Sequence, residues 1–342
     1  MVVFLLNNLC GSPEIQISSQ HERNLQSMQR SRLGRSGLSV PRICLGTNNF
    51  GKGQIEQETA NKIMTRALDL GIDMFDTADV YCGGESERII GEFIKGRRED
   101  VIIATKVGKE GDWNPDTHPN KLSVSRKNII YRLNECLKKL QTDYIDLLYV
   151  HRFDSEIPLE ETMSTLDSLV KQGKIRYVAC SNYSVDQIAE SRRVSEKLGL
   201  ECFVAVQNWY NLFHSEMDTD MIPYCLENHV GIFAYSPLSG GFLAGRYERG
   251  KPPPSGSRAT YKQPGWLKRY DSEENFRKLD KIKKVAAKSG ISLPILAIAW
   301  VLRENRITSA IVGSSKPEQL EDAAAAVNTN LPKSVLDDLR AL

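Results

Sequence analysis

Eight short apolar runs, each separated from the next by an amphipathic stretch, constrain the fold of this chain more than any other feature. The runs are ICL at 43–45, MFD at 74–76, VIIATK at 101–106, YIDLLYVH at 144–151, YVACS at 177–181, VAVQN at 204–208, GIFAYS at 231–236 and SAIVG at 309–313. The intervening stretches carry helical signals. ETANKIMTRALDLG ends on Gly71, and SVDQIAESRRVSEKLG has Ser184 and Gln187 at capping-box spacing and closes on Gly199. Strand, helix, strand in repetition predicts a mainly parallel sheet, and runs with little polar alternation suit strands covered on both faces. Eight such units close naturally into an α/β fold of the (β/α)8 TIM barrel type.

The rival is a doubly wound dinucleotide fold. It requires a G-x-G-x-x-G turn after the first strand, and the only candidate, GGFLAG at 240–245, has the wrong spacing and place. A single barrel domain over 29–342 accounts for the length of 342 residues. LGRSGLSV at 33–40 reads as an N-terminal hairpin capping one end, residues 1–28 as a loose extension, and 250–266, rich in Pro, Gly and Ser, as a long loop.

Charge narrows the partners. Forty-five basic residues against 43 acidic ones give +2 with no long block of either sign, so neither nucleic acid nor an anionic membrane is expected. VVFLL near the N-terminus is far too short to span a bilayer. Seven cysteines, odd in number and never spaced CxxC, predict neither a disulfide framework nor a metal site and fit a reducing cytoplasmic setting. His118 and His214 have no ligand companions and read as loop residues. A small-molecule substrate is the expected partner; oligomeric state is not readable.

In a barrel of this kind chemistry sits where strands end at their C-terminal side. Asp76 ends the second run, Lys106 the third and His151 the fourth, and Tyr81 lies five residues beyond Asp76. Each alone has an ordinary explanation as a turn cap, a snorkelling lysine or a core histidine. Together they place ionisable groups at neighbouring buried ends, which costs desolvation unless the groups neutralise one another. The set suits general acid catalysis. Lys106, held by Asp76, is expected to lower the pKa of the Tyr81 phenol, while His151 orients a carbonyl oxygen.

FDTADVY, IIATK and LLYVH, in that order, resemble the Asp, Tyr, Lys, His tetrad of the aldo-keto reductases, and the similarity runs over almost all of residues 31–325. The resemblance implies a (β/α)8 barrel and NADP(H)-dependent reduction of carbonyls, with Asp76, Tyr81, Lys106 and His151 as the catalytic set and no metal. It further implies that Ser181, Asn182 and Gln207 hold the nicotinamide carboxamide. Tyr235, Ser236, Leu238, Gly240 and Arg246, in AYSPLSGGFLAGRY, would run under the nicotinamide and along the pyrophosphate. Ser314, Ser315, Lys316 and Gln319, in IVGSSKPEQLEDA, would meet the adenosine phosphate, with Pro317 near a helix start. The chain departs from the family pattern at Asp322 and Ala323, at Gln319 in place of an arginine, and at Cys82 in place of a glycine; Cys82 is expected to be buried and inert. Trp113, Asn49 and Phe50 are candidate pocket walls. The alternative is a nucleotide-sensing regulatory subunit like the channel-associated relatives, against which Asn182 counts because those relatives carry Ser-Arg there.

Overall fold

The computed structural model describes residues 28–51, 53–108, 123–261, 270 and 272–341. Ten strands are present among them: β1 (Arg30–Arg32), β2 (Ser39–Pro41), β3 (Ile43–Gly46), β4 (Met74–Asp76), β5 (Ile102–Val107), β6 (Ile145–Val150), β7 (Ile175–Ser181), β8 (Ala205–Trp209), β9 (Gly231–Tyr235) and β10 (Ser309–Gly313). The first two form an antiparallel pair. The other eight close into a barrel in the order β10-β3-β4-β5-β6-β7-β8-β9, every pairing parallel. The (β/α)8 architecture is therefore observed, with each predicted run forming a stave and boundaries moving by no more than two residues.

The helices are α1 (Gln57–Asp69), α2 (Glu85–Ile94), α3 (Arg126–Leu140), α4 (Leu159–Lys171), α5 (Val185–Leu198), α6 (Met221–Glu227), α7 (Arg258–Tyr261), α8 (Glu273–Ser289), α9 (Leu293–Leu302), α10 (Gln319–Val327) and α11 (Lys333–Arg340). α5 starts with the expected capping box: Ser184 Oγ accepts from the Gln187 N–H and the Gln187 carbonyl oxygen from the Ser184 N–H. It ends on left-handed Gly199. Among the described residues no single helix is long and apolar enough to cross a membrane.

Because side chains alternate across a strand, residues two apart share a face. Cys44, Met74, Ala104, Leu147, Tyr149, Ala179, Ala205, Phe233 and Ile311 form one buried cluster inside the barrel, while the larger cluster, including Ile63, Ile89, Leu133 and Leu166, lies between strands and helices. The hairpin caps the interior from below. The predicted 33–40 window holds the turn, 33–38, and the start of β2, while β1 lies just before it. Leu33 at that turn is fully buried in the interior cluster. Gly34 beside it has φ +53°, and a Cβ there would meet the carbonyl oxygens of His229 and Val204 at 2.6 Å. Met28, placed by the sequence in a loose extension, packs against the outer core; the rest of that extension lies outside the described residues.

Candidate functional site

Two residues above the apolar interior layer, the same alternation brings up a polar one. Met74 is followed by Asp76, Ala104 by Lys106, Tyr149 by His151, Ala179 by Ser181, Ala205 by Gln207 and Phe233 by Tyr235. Strand register sets Ser181 opposite Gln207, while Asp76 pairs with Ala104 and Lys106 with Tyr149, so the polar residues climb in steps around the barrel. A cavity of about 1360 Å³ opens over this layer, larger than the roughly 300–1000 Å³ of a typical small-ligand site.

The tetrad is assembled at its floor. Lys106 Nζ donates to Asp76 Oδ1 at 2.5 Å, to the Thr77 carbonyl at 2.8 Å and to Tyr81 Oη at 3.2 Å. Gln207 Nε2 donates to the other Asp76 oxygen at 2.8 Å. The Tyr81 and His151 rings meet edge to face, with centroids 6.1 Å apart. The loop carrying Tyr81 is tied to β3 through Ser86, whose hydroxyl lies 2.8 Å from Thr47 Oγ1 and 2.9 Å from Thr77 Oγ1.

Charge in this floor is balanced rather than free. The Lys106 side chain is 1% exposed and that of Asp76 4%. Burial works against the Lys106 ammonium, but Asp76 and Tyr81 beside it prevail and hold its pKa above the ordinary value. Burial pushes the Asp76 carboxyl up, with Lys106 and Gln207 opposing. The expected lowering of the Tyr81 pKa is not what the structure gives. Desolvation raises it, and Lys106 offsets only part of that rise.

Of the residues assigned to the cofactor, Ser181, Asn182, Gln207, Tyr235, Ser236, Leu238, Gly240, Arg246, Ser314, Ser315 and Gln319 all line the one cavity, whereas Lys316 is exposed and does not. Asn182, with φ +59°, donates through Nδ2 to the His151 carbonyl and to Ser181 Oγ, both at 3.0 Å, and accepts from the Tyr235 hydroxyl at 2.8 Å. After β9 the chain curls through positive φ at Ser236, Ser239, Gly240 and Gly241. Such a backbone admits close approach of an anion, and the amide side chains of Asn182 and Gln207 both donate and accept, as a carboxamide requires. These residues therefore fit a nicotinamide dinucleotide. At the other end Gln319 Oε1 accepts from the Ser315 N–H at 2.9 Å and lies 3.1 Å from Ser314 Oγ and 3.2 Å from Ser315 Oγ, so the serine pair is turned onto Gln319.

Among the proposed pocket walls, Asn49 lines the cavity and donates to the Ser314 carbonyl at 3.0 Å. Phe50 does not line it: its ring is fully buried in the outer core. Trp113 and His118 lie outside the described residues. His214 packs its ring 3.6 Å from that of Trp209. Cys82 is half-buried on the cavity wall rather than enclosed. It has φ +47°, so a cysteine here takes the left-handed backbone that favours glycine. Asp79, Arg132 and Lys139 also line the cavity and were not singled out from the sequence. A signal was present: Asn128 and Arg132, four apart, are polar residues on the buried side of α3. A family model described as the aldo/keto reductase family matches residues 42–342.

Proposed function

The chain belongs to the aldo/keto reductase family, and from that premise we propose that it is an NADP(H)-dependent oxidoreductase that reduces aldehydes or ketones to alcohols, with Tyr81 as the proton donor. The observation that carries the reading is the Tyr81 hydroxyl 3.2 Å from a buried Lys106 ammonium that Asp76 neutralises. A reduced nicotinamide, when bound along Ser181, Asn182, Gln207 and Tyr235, supplies the hydride that adds to the carbonyl carbon. The carbonyl oxygen, gaining negative charge, takes the proton from Tyr81 Oη. An ordinary phenol is already protonated at neutral pH, and burial, by raising the Tyr81 pKa, keeps the donor loaded further into the alkaline range. Lys106 then stabilises the tyrosinate left behind, the electrostatic task that accounts for much of the gain in such reactions. His151 orients the oxygen towards Tyr81.

Ser314, Ser315 and Lys316 are the groups proposed to meet an adenosine phosphate, which underlies the preference for NADP(H). The described cysteines are all free, in keeping with a proposed cytoplasmic setting. Single-turnover oxidation of NADPH against a panel of aldehydes and ketones tests the proposal, alongside fluorescence titration of NADPH and NADH. Reduction with tighter NADPH binding is expected. Firm NADPH binding with no carbonyl reduced overturns it in favour of a nucleotide-sensing subunit, and no binding of either cofactor overturns both.

A further inference from the structure

Behind the loop that carries Tyr81 lies a second set of buried charges that the reaction above does not use. Asp79, two residues before Tyr81, and Glu87, in the first turn of α2, have side chains 1% and 0% exposed. α3 answers both: Arg132 Nε lies 3.6 Å from Asp79 Oδ2, and Lys139 Nζ 3.7 Å from Glu87 Oε2. Both acids also grip the strand that bears Lys106. The Asp79 N–H donates to the Lys106 carbonyl at 3.1 Å, and Thr105 Oγ1 donates to Glu87 at 2.7 Å. A Cβ at Gly91 would meet the backbone of Lys139 and, at 2.9 Å, that of Leu140, and the Lys139 side chain reaches over Gly84, so α3 packs closely on α2 and on this loop.

The loop has turn bonds of its own, Tyr81 N–H to the Ala78 carbonyl at 3.0 Å and Gly83 N–H to the Val80 carbonyl at 3.2 Å, and Ser86 ties its end to Thr47 and Thr77, but none of these fixes the side from which α3 approaches. Residues 82 to 84 run through φ +47°, +67° and +92°, a left-handed path through one cysteine and two glycines. Neither Asp79 carboxylate oxygen has a side-chain hydrogen-bond donor among the described residues, and both are out of contact with solvent. Asp79 contributes to the cavity wall, but its carboxylate is turned away from solvent towards α3, so it is placed to act through its backbone and its charge. We propose that Asp79 and Arg132 are a positioning pair for the acid. With Asp79 ionised, the pair holds the loop so that the Tyr81 hydroxyl faces Lys106; with Asp79 protonated, the hold slackens and turnover drops.

The charged groups facing Asp79 are Arg132 and Lys139 from α3 and Glu87 from α2. Desolvation pushes its pKa up to about 7, with Arg132 and Lys139 opposing and Glu87 adding to the rise. Ionisation thus changes near neutral pH. Only the turnover arm of the test rests on the reductase reading.

The test is a ¹³C NMR titration of the protein labelled at tyrosine Cζ, between about pH 5 and 9. Tyr81 is assigned by the signal lost in Tyr81→Phe. In the unmutated protein this signal is expected to move with an inflection near the Asp79 pKa of about 7, and to lose it in Asp79→Asn. Arg132→Met is expected to displace the signal, and Arg132→Lys, which keeps the charge, to restore part of its position. In steady-state assays at saturating NADPH, kcat should fall about tenfold as pH drops through that inflection, with KM little changed, while Asp79→Asn stays low and flat. The pair is overturned if the Tyr81 signal shows no inflection there or keeps it in Asp79→Asn. An inflection that depends on Asp79, in a protein that reduces no carbonyl, supports the pair and overturns the reductase reading instead.

Discussion

Replacing Lys106 by methionine should destabilise the protein in a pH-dependent way that follows from the buried charges at the cavity floor. In the unmutated chain burial pushes the Asp76 carboxyl up, and Lys106 and Gln207 pull it back. Methionine removes the ammonium 2.5 Å away and leaves the Gln207 amide as the remaining hydrogen-bond donor to that carboxylate. Breaking a buried pair by removing one partner costs about 3–5 kcal/mol, since the remaining charge is uncompensated. For a domain of this size that is a fall in Tm of about 4–8 °C.

The pH dependence has a definite sign. In the variant the folded-state pKa of Asp76 rises well above its unfolded value of about 3.9, so the folded form keeps a proton that the unfolded form has released. Stability then declines as pH climbs from the unfolded pKa towards the raised folded one. Relative to the unmutated protein, the loss should be full at about pH 8 and smaller at about pH 5. Asp76→Asn combined with Lys106→Met should recover most of it, because no charge is left to strand. Urea unfolding at the two pH values measures this. A single variant that loses under about 1 kcal/mol at the higher pH, or loses equally at both, refutes the argument.

Leu33→Ala, which empties the buried plug beneath the barrel, should cost about 2–5 kcal/mol in urea unfolding while leaving NADPH affinity unchanged. Because burial raises the Tyr81 pKa, kcat/KM for carbonyl reduction should begin its alkaline decline only above the ordinary phenol value of about 10, and a decline centred well below that contradicts the balance described here. Lys316→Ala should shrink the NADPH to NADH affinity ratio by about tenfold or more by fluorescence titration, since one charge-assisted contact is worth about 1.5–3 kcal/mol. No change would remove Lys316 from the phosphate end.

The barrel was legible because strands buried on both faces leave apolar runs, and because the period of two places Asp76, Lys106, Ser181 and Gln207 one step above Met74, Ala104, Ala179 and Ala205. The places of Asp76, Lys106 and His151 at strand ends were legible for the same reason, whereas Tyr81, on the turn after β4, was picked out by its place in the motif FDTADVY. What escaped depends on three-dimensional enclosure. The direction of the Tyr81 shift turns on desolvation outweighing Lys106, a competition that spacing does not reveal. Phe50 follows Asn49 directly, yet one lines the cavity and the other fills the outer core. Asp79 and Arg132 meet only because α3 packs against the Tyr81 loop, although a polar residue on the buried side of a helix is a signal in itself.

The central claim is that Tyr81 delivers the proton, and Tyr81→Phe tests it most directly because the ring stays while the hydroxyl goes. Under single-turnover conditions with saturating NADPH, reduction of a good aldehyde should slow by roughly 100- to 10000-fold, the usual worth of a positioned general acid, while NADPH affinity holds within about twofold. A Tyr81→Phe protein that still reduces the aldehyde at close to the unmutated rate contradicts the account.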